Sequence, residues 1–303
     1  MIRTTISWPG GLILLGFASV ASLPACSGST KNQPPPATAG AAQEPADDVA
    51  MALMEHHRYH HHGGVTLFIA MSLDTIAVPP EKSAAIAPIR AELVASMEPG
   101  RAAEQSLMTA LADGLAAGTI DAAKVDAGVA DVTTAARGVH DRTADALNQL
   151  HAALSPAERT ALADKVVAHW AVWKQVNGDE TGAAPREGGH LAALASELDL
   201  TADQVNQIKT AMARDMKAVP PLDPKEIDAD LRAFGDAFRS NSFDAKGPTA
   251  ENDANAHMVG WAAAHLAHFV EAVGPVLAPD QRTALADKLR AHAAHDPSAE
   301  ATP

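Results

Sequence analysis

Apolar residues along this chain recur at three- and four-residue spacing, the signature of one buried helix face. Ile86, Ile89 and Leu93 follow it, as do Val205, Ile208, Met212 and Met216. From Ala122 to Leu154, Val125, Val129, Val132, Val139, Leu147 and Leu150 predict one long helix, with a partner over Pro248 to Leu277. No segment sustains the alternation of a half-buried strand. The expected fold class is all-α, with four or five helices in each half of a repeated body.

The repeat is visible in the letters. Arg159-Thr160-Ala161-Leu162-Ala163-Asp164-Lys165 recurs as Arg282-Thr283-Ala284-Leu285-Ala286-Asp287-Lys288, an offset of 282 − 159 = 123. The same offset carries Asp113-Gly114-Leu115 onto Asp236-Ala237-Phe238, and His169 onto His292. An offset of 122 carries Val78–Lys82 onto Leu200–Gln204. The expected organisation is a first repeat over 64–177, a linker over 178–189, a second repeat over 190–295, and a short tail over 296–303.

Four helix starts share one grammar: a hydrophobic residue, a cap or proline position, then a polar residue three later. In Leu154-Ser155-Pro156-Ala157-Glu158, Ser155 caps the helix, Pro156 sits where no amide hydrogen is missed, and Glu158 closes a capping box. In Leu200-Thr201-Ala202-Asp203-Gln204, Thr201 and Gln204 form the same reciprocal pair, with Leu200 placed to staple onto Val205. Val78-Pro79-Pro80-Glu81-Lys82 and Leu277-Ala278-Pro279-Asp280-Gln281 lack a cap side chain, at Pro79 and Ala278.

Leu200–Gln204 resembles the LTxxQ motif of the Spy/CpxP group of periplasmic proteins, and the other three copies resemble degenerate versions. Family members carry two such motifs per chain, and this chain carries two per half. The resemblance implies two Spy-like helical hairpin units in tandem, forming an intramolecular pseudo-dimer. It implies a curved cradle that holds unfolded or partly folded envelope proteins without ATP. The family's concave face is basic, whereas here Lys and Arg number nine against thirteen Asp and Glu in the first half, and ten against fifteen in the second.

The first 25 residues read as an address. An apolar run from Gly11 to Val20 has the length of a signal-peptide core. It leads into Leu23-Pro24-Ala25-Cys26, which resembles a bacterial lipoprotein lipobox with Cys26 as the acylated residue. Ser27 follows, where inner-membrane retention uses Asp, so the expected place is the outer membrane, facing the periplasm. Residues 26–50 are rich in Pro, Ala, Gly and Ser and read as a tether.

Composition narrows the chemistry. A formal net charge of −14, with no basic run, is a poor match for nucleic acid. One cysteine excludes an intrachain disulfide, a Cys-rich zinc site, an iron–sulfur cluster and c-type haem attachment. Aromatics at 4% disfavour a large β-sandwich. No phosphate loop, His-Glu-x-x-His or Gly-x-Ser-x-Gly is present, and the expectation is a protein that is not an enzyme and requires no cofactor. The sharpest metal candidate is His56, His57, His60, His61 and His62, within a segment over 51–63 that also holds Met51, Met54 and Glu55. On a helix, His56 with His60 and His57 with His61 share a face, a donor set that suits Zn, Cu or Ni. Some wider relatives of the family are metal-resistance or metal-sensing proteins, which supplies the alternative function.

Three further groups read as structural. His257, Trp261, His265 and His268 form a stripe with polar edges. Phe234, Phe238 and Phe243 stand where the first half has Leu111, Leu115 and Ile120, and read as core. His169 and His292 are expected near the ends of their helices, where a protonated imidazole complements the dipole.

Overall fold

The computed structural model describes residues 63–176, 190–215, 219, 222–247 and 254–294. Among them the chain is helical, without a strand. The helices are α1 (Gly64–Thr75), α2 (Pro80–Ala117), α3 (Ala122–Arg137), α4 (Val139–Ala153) and α5 (Pro156–Val176) in the first half. The second half contributes α6 (His190–Glu197), α7 (Ala202–Asp215), α8 (Pro224–Arg239), α9 (Ala254–Val273), a 3₁₀ turn (Gly274–Val276) and α10 (Pro279–Ala294). No described helix is long and apolar enough to cross a membrane.

Helix starts follow the sequence register. α5 and α10 begin at Pro156 and Pro279, and α2 and α7 at Pro80 and Ala202, at offsets of 123 and 122. The long α2 corresponds to α7 and α8 together. The α3–α4 pair corresponds to α9 with its 3₁₀ extension.

The single helix expected over Ala122 to Leu154 is divided at Gly138. Glycine in a helix interior costs about 1 kcal/mol relative to alanine. Here Arg142 also reaches back, donating from Nη2 to the Ala135 carbonyl near the end of α3 and from Nε to the Ser96 carbonyl of α2. The guanidinium therefore bonds the frayed end of one helix and ties it to its neighbour. The partner helix, expected to reach Leu277, is α-helical to Val273 and then tightens into a 3₁₀ turn. Pro275 within that turn has no amide hydrogen to continue an α ladder.

Among the described residues, two large apolar cores take side chains from both halves, and a small cluster of Leu67, Ala70, Met97 and Val139 belongs to the first half alone. The first holds Phe68, Leu93, Leu147, Leu150, Trp170 and Trp173 of the first half with Ile227, Leu231, Phe238 and Met258 of the second. The second holds Ile208, Val270, Leu285 and Leu289 of the second half with Leu107, Leu111, Leu115 and Val132 of the first. The first core draws on α1, α2, α4 and α5, closed by α8 and the start of α9. The second draws on α6, α7, the end of α9 and α10, closed by the end of α2 and by α3. These are the same elements with the halves exchanged, and α3 packs along α9, its own counterpart in register. The halves interleave instead of meeting across a shallow cleft.

Trp170 and Trp173 stack at 5.0 Å, and Trp261 meets Trp173 edge-on at 5.9 Å. Such pairs add roughly 0.5–1.5 kcal/mol beyond the area they bury. His169 is buried and stacks on Phe68 at 5.9 Å, two turns before the end of α5. A helix-end role therefore does not describe it, because its side chain faces the core. His292 does lie in the last turn of α10.

Candidate functional site

The LTxxQ-like motifs meet in pairs, one pair in each half. In the second half, Thr201 Oγ1 accepts from the Gln204 amide at 3.2 Å, and Gln204 Oε1 accepts from the Thr201 amide at 3.0 Å. Two of the orphan donors at the start of α7 are thereby satisfied. The Gln204 side-chain amide then has a free N–H₂ group, and it leaves its own helix. Nε2 donates to Gln281 Oε1 at 2.7 Å and to the Val276 carbonyl at 3.1 Å. Gln281 answers in kind. Its Oε1 accepts from the Ala278 amide at 2.9 Å, and its Nε2 donates to the Leu198 carbonyl at 3.0 Å. Alanine at 278 cannot cap α10, but Gln281 still satisfies the Ala278 amide. Leu277 is buried beneath this junction, and Leu200 packs on the same core.

The first half repeats the junction with charges. Glu158 Oε2 accepts from the Ser155 amide at 2.6 Å, and the Glu158 amide donates to Ser155 Oγ at 3.4 Å. The same Oε2 accepts from Lys82 Nζ at 2.6 Å. Lys82 stands at the register position of Gln204, and Glu158 at that of Gln281. An amide–amide bridge in one half is an ammonium–carboxylate bridge in the other. The Lys82 ammonium, aided by the Ser155 amide, holds the Glu158 carboxyl down at about 2. Leu154 is buried beside it.

Each α5/α10 start also reaches a helix end of the opposite half. Arg159 is buried and donates from Nη1 to the Ser240 carbonyl, at the end of α8, at 2.8 Å. It also contacts the ring of His151. Arg282, its counterpart, lies against Gly118, which caps the C-terminus of α2 with φ 76°. Its Nη1 donates to the Leu277 carbonyl at 3.0 Å. The seven identical residues thus carry an arginine to equivalent cross-half positions.

The His257–His268 stripe behaves as a helix face. His257 Nδ1 pairs with Glu226 at 2.9 Å, His268 Nδ1 with Glu271 at 3.1 Å, and His265 is buried beside Trp261. Phe238 is fully buried, and Phe234 and Phe243 pack on it at 5.3 and 5.1 Å. Among the described residues no three His, Cys, Asp or Glu side chains gather as a metal site. His56, His57, His60, His61 and His62 lie outside the described residues, as does Cys26.

The motifs were visible in the sequence, but the pairing of their fifth residues was not anticipated. Its signal was present: where one half has two glutamines, the other has a lysine and a glutamate at the same two positions. Substitution of a neutral pair by opposite charges is what direct contact allows.

Comparison with protein-family models, with curated proteins and with solved structures returns no match for this chain.

Proposed function

We propose that this chain is an exported, lipid-anchored, ATP-independent holdase of the Spy/CpxP kind, made of two tandem copies that fold as one intramolecular pseudo-dimer. The observation that carries the reading is the paired junction: Gln204 with Gln281, and Lys82 with Glu158. Each half joins its two LTxxQ-like helix starts through their fifth residues. A capping box alone satisfies one helix and has no reason to recur in paired register. The exchange of elements between the two cores supports the tandem arrangement independently.

Cys26 would fix the chain to the outer membrane, with residues 27–50 as its tether and the helical body in the periplasm. Clients would be unfolded or partly folded envelope proteins. Val167 is an exposed large apolar side chain, at 42%. Half-buried Phe234, Phe243, Leu266 and Phe269 border the cores. Capture by this body therefore rests on shallow apolar edges and a mildly acidic surface, where the family cradle uses a basic one. Such contacts are individually weak and reversible, which suits release without nucleotide hydrolysis.

Light scattering of an aggregating client tests the proposal. The purified chain should suppress aggregation at stoichiometric ratios, in low and moderate salt, without nucleotide. Absence of suppression under all of these conditions overturns it.

A further inference from the structure

α6 is the slighter counterpart of α1. An offset of 122 carries Ile69 and Ile76 of the α1 segment onto Leu191 and Leu198 of the α6 segment. α1 runs for 12 residues and buries Leu67, Phe68, Ile69, Ala70 and Leu73. α6 runs for 8 residues. Among its described side chains, Leu194 and the following Leu198 are buried and Leu191 is half-buried, all on the second core. A helix this short has no stability of its own in water, so docking is what keeps it folded. Its polar ties to α10 lie near its C-terminal end. Lys288 Nζ pairs with Glu197 at 2.7 Å, both side chains about half exposed, and Gln281 Nε2 donates to the Leu198 carbonyl at 3.0 Å. An exposed pair of this kind contributes little to stability.

The turn that leaves α6 is strained. Asp199 stands at φ 49°, in the left-handed region, at the C-terminal position where glycine is usual. The Leu200 amide donates to the Ala195 carbonyl at 2.9 Å and closes the turn around it. Such backbone persists only while the surrounding structure holds it, and undocking of α6 releases it. Once α6 lifts, the second core presents the apolar surface on which Leu194 and Leu198 packed. At its edge stand the Lys288 ammonium and the Gln281 side-chain amide, both without the partners that α6 supplied.

We propose that α6 is a built-in occupant of a docking groove on the second core, and that it exchanges for an amphipathic helical segment of another polypeptide with leucines at i, i+3 and i+7. α6 is itself the template: Leu191, Leu194 and Leu198 stand at that spacing, and Ala192 and Ala195 between them are small. Each feature selects. The spacing puts three apolar side chains on one helix face. An acidic residue just before the last leucine meets Lys288, and the carbonyl at the helix end meets Gln281, as Glu197 and Leu198 do. The first half has no equivalent exchange, because Phe68 and Ile69 of α1 are sealed in the first core, with Phe68 stacked on His169. The inference rests on how α6 is held and not on holdase activity.

The probe is a fluorescent peptide of residues 190–200, titrated into the purified full chain and read by anisotropy. It should bind saturably, with a dissociation constant on the order of 100 µM, because the resident α6 competes for the groove. A peptide of the same composition with its leucines placed side by side should bind at least about tenfold more weakly. Glu197→Cys with Lys288→Cys, in a Cys26→Ser background, allows α6 to be tethered to α10 by a reducible thiol crosslinker. The tether should weaken peptide binding at least about tenfold, and reduction of the same sample should restore it, which separates closure of the groove from misfolding. Leu194→Ser with Leu198→Ser loosens the resident helix and should tighten peptide binding at least about tenfold. The proposal is overturned if the released chain shows no saturable binding up to about 1 mM, or if tethering leaves the affinity unchanged. It is equally overturned if the reordered peptide binds as well, or if a folded Leu194→Ser/Leu198→Ser chain binds no more tightly than wild type. Suppression of client aggregation is a separate readout: its loss with peptide binding intact overturns the holdase reading alone, and the converse overturns this inference alone.

Discussion

Replacing Glu158 by glutamine separates the charge at the first-half junction from its shape. The carboxyl is 11% exposed and sits at about 2, against an ordinary value of 4.5. A fall of that size corresponds to a ceiling of about 3 kcal/mol at neutral pH. Lys82 is 34% exposed, so solvent screens the pair, and about 1–2 kcal/mol is the expected share. The sign follows from the direction. A carboxyl whose folded value is depressed stabilises the fold above its unfolded value, near 4.5, and loses that contribution as pH falls through about 2. Urea unfolding of wild type and Glu158→Gln should therefore differ by about 1–2 kcal/mol at pH 7. That gap should shrink by more than half between about pH 5 and pH 3, because Gln does not titrate. Taking the difference between the two proteins cancels the many other carboxylates of an acidic chain.

A double-mutant cycle completes the argument. Lys82→Gln combined with Glu158→Gln rebuilds the Gln204–Gln281 arrangement in the first half. The pair should be more stable than the sum of the single losses predicts, with a coupling of about 1 kcal/mol. Its stability should also be less sensitive to salt than wild type. A gap at pH 7 indistinguishable from zero, or one that stays constant down to about pH 3, refutes the reasoning.

Gln204→Ala and Gln281→Ala should each cost about 1–2 kcal/mol in urea unfolding, with strongly non-additive losses, since each removes the other's partner. Neither offset should change between about pH 7 and pH 3, in contrast to Glu158. Trp170→Ala should cost about 3–5 kcal/mol, because it opens a cavity in the first core and strips Asp228 of the indole donor at 2.6 Å. Burial alone would raise the Asp228 carboxyl, but hydrogen bonds from Lys174 and Trp170 outweigh it and hold it below the usual carboxylate range. Asp228→Asn should consequently lose stability above the ordinary carboxylate value, by less than about 1 kcal/mol because the pair is one-third exposed, and converge on wild type as pH falls through the lowered value. Calorimetric Zn titration should detect binding that disappears when residues 51–63 are deleted; retained affinity would assign it to the described body.

The all-α fold was legible because alanine-rich segments with three-and-four spacing have few alternatives. Helix starts at Pro156, Ala202 and Pro279 were legible for a local reason: proline and capping residues act within one turn. What stayed hidden was non-local. The apolar spacing over Ala122 to Leu154 carries no sign of the break at Gly138, because the Arg142 side chain that bonds it is aimed by packing, not by spacing. His169 was placed at a helix end because its core neighbour Phe68 lies about 100 residues away in sequence, a separation no periodicity reports. Gln204 reads from the sequence as a local capping partner of Thr201, with its second hydrogen-bonding capacity unassigned. An amide side chain carries both an acceptor and a donor, and capping uses the acceptor alone.

The two halves differ at positions that the sequence register sets side by side. The first half has a charged junction, a ring sealed against two phenylalanines, and the tryptophan stack in its core. The second has a neutral junction and aliphatic side chains, Leu115 and Ile120, that close on Gly274. Interleaved cores make this division physically sensible. Each core takes helices from both halves, so consolidation of one stiffens elements that also frame the other. Arg159 reaches the end of α8 and Arg282 lies against the end of α2, so each half contacts a helix end of the other. With tight aromatic packing in the first half, the second has no buried ring at Gly274 and is still framed by shared helices. Gly274→His should then lower the melting temperature, because its Cβ would stand 3.1 Å from Leu115 and 3.4 Å from Ile120, and emptying the first half by His151→Gly should lower it as well. A Gly274→His protein that melts no lower than wild type would mean that Leu115 and Ile120 withdraw without cost, and that the packing around Gly274 is not tight.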